Sequence, residues 1–306
     1  MSSRLSPSGV TGTRAAALGL LALANLFWAG NWVIGRLLRG AFDPATLNFL
    51  RWTVAALALA PFALPAALKA RGAIRRHAGV LLLLAFTGVA LFQFLVYLGL
   101  RSTSTINAVL LNSSMPVFML IVSWLLERER GTPRQVLGML ISLAGILVIL
   151  SEGELARLLS LEVHAGDAWI LLAMPVWGLY SVLLKRRPAA LGGVAFLFVI
   201  SVAGALMLAP FALLEALRTP PHWPGAAPAA GVAYVGLFAS VAAFICWNRG
   251  VAAVGANTAG FTLHLLPAFG TVLAMAFAGE SFHPYHAAGI ATILAGVIVA
   301  TKAPSG

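Results

Sequence analysis

Charge is what this 306-residue chain has least of: Asp, Glu, Lys and Arg together make up 9% of it. A soluble domain carries roughly a quarter, so the chain lacks the polar surface needed to face water on every side. Acid is scarcer still, with nine Asp and Glu against twenty Lys and Arg. The net charge of +11 does not point to nucleic acid, because the basic residues sit between long apolar runs instead of gathering on one face. The single cysteine, Cys246, excludes an intramolecular disulfide framework and any cysteine-cluster metal site. Within its apolar run it reads as a small buried residue. HExxH, GxSxG and a Walker Gly-Lys-Ser/Thr run are all missing. Metalloprotease, hydrolase and ATPase chemistry therefore have no motif behind them, and no catalytic residue, metal or cofactor is expected.

What is present is hydrophobicity, at 60% of residues. Spanning helices need about 20 mostly apolar residues, and ten such runs are read at 14–38, 45–68, 79–100, 104–126, 134–150, 167–185, 192–215, 228–249, 254–279 and 284–301. The first is not a cleaved leader. Apolar sequence continues past Ala22-Leu23-Ala24 through Trp28, Trp32 and Ile34, beyond the length of a signal h-region. Asp43-Pro44, Thr132-Pro133 and His283-Pro284 set a capping or polar residue before a helix-opening proline. With the amino terminus placed in the cytoplasm, fourteen Lys and Arg fall in inner segments and five in outer ones, while Arg51 lies within the second span. The positive-inside bias therefore puts both termini in the cytoplasm. Residues 151–166, with Glu152, Glu154 and Glu162 among leucines, read as a short amphipathic outer helix between two halves.

The halves repeat. Shifted by 151 residues, Pro116 meets Pro267, Glu129 meets Glu280, Pro133 meets Pro284, Gly138 meets Gly289, and Leu143-Ala144-Gly145 meets Leu294-Ala295-Gly296. A shift of 149 brings Trp28 onto Trp177. Each half holds five spans, an odd number, so the second enters the membrane upside down, an arrangement used by transporters with a site near the midplane. The expected fold is an all-α membrane protein of ten helices in two inverted five-helix repeats, residues 1–150 and 167–306.

Phe27-Trp28-Ala29-Gly30-Asn31, Asn48-Phe49-Leu50-Arg51, and Pro116…Glu129 repeated as Pro267…Glu280 resemble the drug/metabolite transporter superfamily, specifically its EamA-type ten-helix exporters. The resemblance covers both halves. It implies bacterial inner-membrane export of amino acids or related small metabolites by alternating access, through a central cavity lined by spans 1, 3, 4, 6, 8 and 9. A sugar or nucleotide-sugar carrier of the same superfamily is the alternative, weakened because only Arg51 offers a cation within a span. An intramembrane enzyme lacks a nucleophile–base pair. The expected partners are the small-molecule substrate and the lipid bilayer, with the protein as a monomer.

Polar groups at membrane depth are costly without a partner or a watery cavity. On that ground Trp28, Asn31, Gln93, Asn112, Trp177, Tyr180 and His264 are expected to bind substrate. Trp28 and Trp32 share a helical face, as do Gln93 with Tyr97 and Trp177 with Tyr180, and aromatics interleaved with amides suit a zwitterion bearing an apolar side chain. The competing reading of the aromatics is an interfacial belt or helix packing. His264 lacks a metal-ligating partner one turn away, and reads as a packed or a cavity histidine. Arg51 either snorkels outward, bonds across helices, or meets a substrate carboxylate. Pro116 and Pro267 read as kinks, or as hinges of the transport cycle. Gly138-xxx-Ser142 and Ala15-xxx-Gly19 permit close helix packing.

Overall fold

A computed structural model describes residues 7–38, 40–220, 225–277 and 281–302. Among these residues there is no strand, and ten helices are long and apolar enough to cross a membrane. They are α1 (Arg14–Gly35), α2 (Pro44–Lys69), α3 (Ala78–Leu100), α4 (Asn107–Glu127) and α5 (Pro133–Leu150). The second set is α6 (Ala165–Arg186), α7 (Gly193–Arg218), α8 (Ala226–Val254), α9 (Ala256–Ala276) and α10 (Pro284–Thr301). A five-residue helix, Leu155–Leu159, lies between the sets. Large side chains such as Phe62, 78% exposed, and Leu206, 68% exposed, form the outer surface that lipid would cover.

Local chemistry sets the ends. Thr132 accepts from the Gln135 backbone while the Gln135 side chain accepts from the Thr132 backbone, closing a capping box at the start of α5. Asp43 makes no cap and instead pairs with Arg101 at 2.7 Å. The orphan N–H groups of Ala45 and Thr46 go to the Glu215 carboxylate of α7, at 3.1 and 2.7 Å. One helix thus supplies the cap of another. Between α8 and α9 a single residue, Gly255, makes the connection with φ of 82°, a left-handed conformation that costs glycine least. The helix reaches Val254, five residues past the expected end of that span, and Arg249 accordingly lies in α8 and not in a loop.

Packing pairs α5 with α10 and α2 with α7; α1 lies against α8 and α9, and α6 against α3 and α4. Renumbering each helix as its counterpart five spans away reproduces the same set of pairs. Lipid provides no hydrophobic drive between helices, so close approach must supply the attraction. Small residues provide it between α5 and α10: a Cβ built on Gly138 would lie 2.6 Å from the Gly296 carbonyl oxygen, and one on Gly145 would lie 2.7 Å from that of Gly289. The other expected packing motif is a correction. A Cβ on Gly19 would meet nothing within 4 Å, so Ala15 and Gly19 bring no helix close through that glycine.

Two interruptions shape the interior. α3 and α8 each contain a π-helical turn, Phe86–Leu91 and Leu237–Ala242, separated by the offset of 151 that aligns the sequence with itself. α4 and α9 are broken just ahead of their prolines: α4 by a turn at Ser113–Ser114, α9 by a 3-10 turn at Thr262–His264. Pro116 and Pro267 therefore sit in the first turn of a new helical piece, where a missing N–H leaves no bond unmade. The kink expected at each proline is thus a break in the helix just before it, and the proline itself interrupts no mid-helix hydrogen bond.

Candidate functional site

Entering a π turn shifts the ladder from i→i−4 to i→i−5, which leaves a carbonyl without a helical donor. Side chains of α2 reach carbonyls within both π turns. Asn48 Nδ2 donates to the Val89 and Ala90 carbonyls of α3 at 3.2 and 2.9 Å. Arg51, one turn further along α2, donates through Nη2 to the Ala239 carbonyl of α8 at 3.2 Å and through Nε to Ser240 Oγ at 2.7 Å. The Asn48-x-x-Arg51 motif is thus a double clamp holding the two π turns to α2. Arg51 is 1% exposed: it does not snorkel, and it bonds across helices.

Arg51 Nη1 reaches further, to Asn31 Oδ1 at 3.3 Å and Tyr97 Oη at 3.2 Å, and Tyr97 in turn donates to Asn31. This amide–phenol pair joins α1 to α3. The second half contains the same bond with its ends exchanged, as Tyr180 of α6 donates to Asn248 Oδ1 of α8 at 2.9 Å. Trp28 Nε1 donates to the Ala239 carbonyl at 3.0 Å, sharing that acceptor with Arg51. Gly30 is occupied by Tyr234, whose hydroxyl would stand 2.1 Å from a Cβ there and donates to the Phe27 carbonyl. Phe27, Trp28, Gly30 and Asn31 thus make their polar and ring contacts with α2, α3, α6 and α8.

A central cavity of about 30 Å³ lies at this junction, space for a water molecule and not for an amino acid. Its wall combines an aromatic cage with a polar arc. Trp28 and Trp177 meet edge to face with ring centres 5.1 Å apart, Phe92 lies 4.8 Å from Trp177, and Phe244 lies 4.9 Å from Trp52. The polar arc is Asn31, Arg51, Gln93 and Asn112. Among the donors on this wall, Gln93 Nε2, Trp52 Nε1 and Trp177 Nε1 are buried without an acceptor. Unsatisfied buried donors are costly, and three of them belong to residues on the wall of this one cavity.

Of the seven expected residues, Trp28, Asn31, Gln93, Asn112 and Trp177 line this cavity. Tyr180 and His264 stand one layer behind. The Tyr180 ring packs over Gly88, where a Cβ would come within 2.3 Å of it, and against Trp177. His264 joins three helices: Nε2 lies 2.9 Å from the Ser113 carbonyl of α4, and Nδ1 meets Ser142 Oγ of α5. Trp52, Phe92 and Phe244 also line the wall and are not among the residues singled out from the sequence; Arg51, read there as an outward anchor, a cross-helix donor or a carboxylate contact, lines it too. For Arg51 the signal was there, a lone charge inside a span.

A second cavity, about 360 Å³, opens where α4, α6 and α8 end, among Ser123, Glu127, Ser181, Lys185 and Val251. Glu127 pairs there with Lys185 at 2.7 Å and Arg186 at 3.1 Å, tying α4 to α6. At the opposite ends Asp167 accepts from Asn107 at 2.8 Å and also from Thr103. Glu280, expected as the counterpart of Glu129, lies outside the described residues.

An uncharacterized transporter of Archaeoglobus fulgidus is 28% identical over 92% of this chain and 96% of its own length. A probable terminal-alkyne amino-acid exporter of Streptantibioticus cattleyicolor is 29% identical over 94% of this chain and 93% of its own. A crystal structure superposes with a TM-score of 0.73 at 23% identity, covering 93% of this chain and 97% of that one, which speaks for the fold. The model of one family, the EamA-like transporter family, matches twice, over residues 15–151 and 164–302. The chain, a multi-pass membrane protein of ten spans, belongs to the EamA-like transporter family.

Proposed function

We propose that the chain exports amino acids or similar small metabolites from the cytoplasm by alternating access between two inverted five-helix halves, residues 1–150 and 167–306. The observation that carries this reading is the central cavity, whose wall draws aromatic side chains from both halves and amides from the first. Such a surface suits an apolar side chain beside a polar head. Support for the substrate class comes from the Streptantibioticus relative, described as a probable amino-acid exporter. Five spans per half, an odd number, give the halves opposite directions through the bilayer. In this reading the end with the larger cavity faces the cytoplasm, a choice supported by the charge bias of the loops. Substrate entering there meets a contracted centre, so passage requires the halves to move apart, with the breaks before Pro116 and Pro267 serving as hinges.

Counterflow in proteoliposomes tests this. Vesicles preloaded with one unlabelled amino acid at a time should take up the same labelled compound without nucleotide. A panel of common amino acids that produces no exchange above protein-free vesicles would reject the substrate class.

A further inference from the structure

Among the described residues no anion partners the charge on Arg51, whose guanidinium lies 5.5 Å from the centre of the Trp52 ring. The side chain is 1% exposed and borders the central cavity. All its acceptors are neutral: Asn31 Oδ1, Tyr97 Oη, Ser240 Oγ and the Ala239 carbonyl. No carboxylate among the described residues forms an ion pair with it. The described acids all stand at span ends or beyond them, at positions 43, 127, 129, 152, 154, 162, 167 and 215. Neutral acceptors satisfy hydrogen bonds but do not neutralise a cation withdrawn from water.

Clamping a π turn does not call for that charge. Asn48 holds the other π turn to the same helix with an uncharged amide. The two clamps differ in one respect of position: Arg51 lies on the cavity wall and Asn48 does not. A guanidinium carries five N–H groups, and the four contacts above leave one uncommitted. Around the same cavity Trp52 and Trp177 hold indole N–H groups with no acceptor, and so does the buried Gln93 amide nitrogen. The wall is rich in donors, carries one positive charge and offers no anion.

We infer that Arg51 is the anion-recognition residue of the transport site, and that the carried molecule presents a carboxylate to it. The inference rests on reading this cavity as the place where substrate binds. The aromatic cage then receives the remainder of the molecule. The same charge repels a ligand whose only ionised group is an ammonium, which excludes simple amines and lipophilic cations as substrates.

The test compares four forms of each compound on the intact protein: the amino acid, its carboxamide, its decarboxylated amine and its 2-oxo acid. Binding is read from tryptophan fluorescence and thermal shift in detergent, and transport from counterflow. A charge-assisted hydrogen bond corresponds to an affinity ratio of about ten- to a hundredfold, so acids should exceed their carboxamides and amines by that ratio in the wild type. Arg51→Gln, which keeps an amide donor for the clamp as Asn48 does, should bring the ratio close to one, and Arg51→Lys should restore part of it. Equal affinity for acid and carboxamide in the wild type would overturn the inference. So would an unchanged ratio in folded Arg51→Gln. The two readings separate: 2-oxo acids recognised through Arg51 while amino acids are ignored would sink the amino-acid assignment and leave the carboxylate site standing. Amino acids carried no better than their carboxamides would do the reverse.

Discussion

Asn48 and Arg51 lie one turn apart on α2; Asn48 donates only to π-turn carbonyls, and Arg51 divides its donors between one such carbonyl and the side chains of Ser240, Asn31 and Tyr97. Side chains on the cavity wall answer to a different test from those behind it. Gln93 and Asn112 border the cavity, so replacing either by alanine removes a polar contact from the substrate more than from the fold. Loss of one such bond predicts flux lower by about three- to tenfold with nearly unchanged melting temperature in detergent. Tyr180 is fully buried and bonded to Asn248, so Tyr180→Phe should lower the melting temperature, leaving Asn248 Oδ1 unsatisfied. Wild-type flux in both alanine variants would remove Gln93 and Asn112 from the site. Mid-depth polarity made the wall residues legible in the sequence, because the cost of burying an amide in lipid needs no structure to compute. It could not separate wall from second layer. Trp28 and Tyr180 sit on equally apolar helices, and only packing shows that one faces the cavity and the other Gly88.

Helix existence was legible from run length, and the repeat from its paired prolines. The π turns were not, since Phe86–Leu91 and Leu237–Ala242 contain no proline and no charge; the contacts that hold them come from α2, remote in sequence. Glycine spacing proved ambiguous for a related reason. Gly138-xxx-Ser142 and Ala15-xxx-Gly19 look alike as strings, yet only the first meets a partner helix. At Gly296 an added Cβ would stand 2.3 Å from the Ser142 backbone nitrogen, and backbone cannot yield as a flexible side chain does. Gly296→Ala should therefore cost about 1–3 kcal/mol, seen as a lower midpoint in thermal unfolding. Gly19→Ala is the matched control: with nothing within 4 Å it should be neutral or stabilising by up to about 1 kcal/mol. Equal midpoints for the two variants would contradict the α5–α10 contact.

At the scale of the whole molecule, orientation and energy source both reduce to where charges sit. The loop bias predicts that Gly72→Cys and Ala189→Cys, in a Cys246→Ala background, resist an impermeant thiol reagent applied to whole cells, while Ser160→Cys reacts. Labelling at position 72 or 189 from outside would invert the topology. Energy coupling follows from the same inventory. Proton-driven carriers generally hold a carboxylate or histidine at membrane depth that gains and loses its proton during the cycle. Every described acid here lies at a span end or beyond one, where several have structural partners: Glu215 caps α2, Asp167 accepts from Asn107, and Glu127 pairs with Lys185. His264 is the mid-span side chain that titrates nearest neutrality in water, and both its ring nitrogens are engaged, with the Ser113 carbonyl and the Ser142 hydroxyl. Those contacts tie α9 to α4 and α5, a structural use of the ring that requires no proton traffic. The expected behaviour is movement of substrate down its own gradient, as relief of a cytoplasmic excess requires. Proteoliposomes with and without an imposed pH gradient measure this directly. Accumulation above equilibrium that depends on the gradient and disappears in His264→Ala would show that the histidine carries the coupling proton. Flux that equilibrates to the same level under both conditions, in wild type and variant alike, is the outcome the charge distribution predicts.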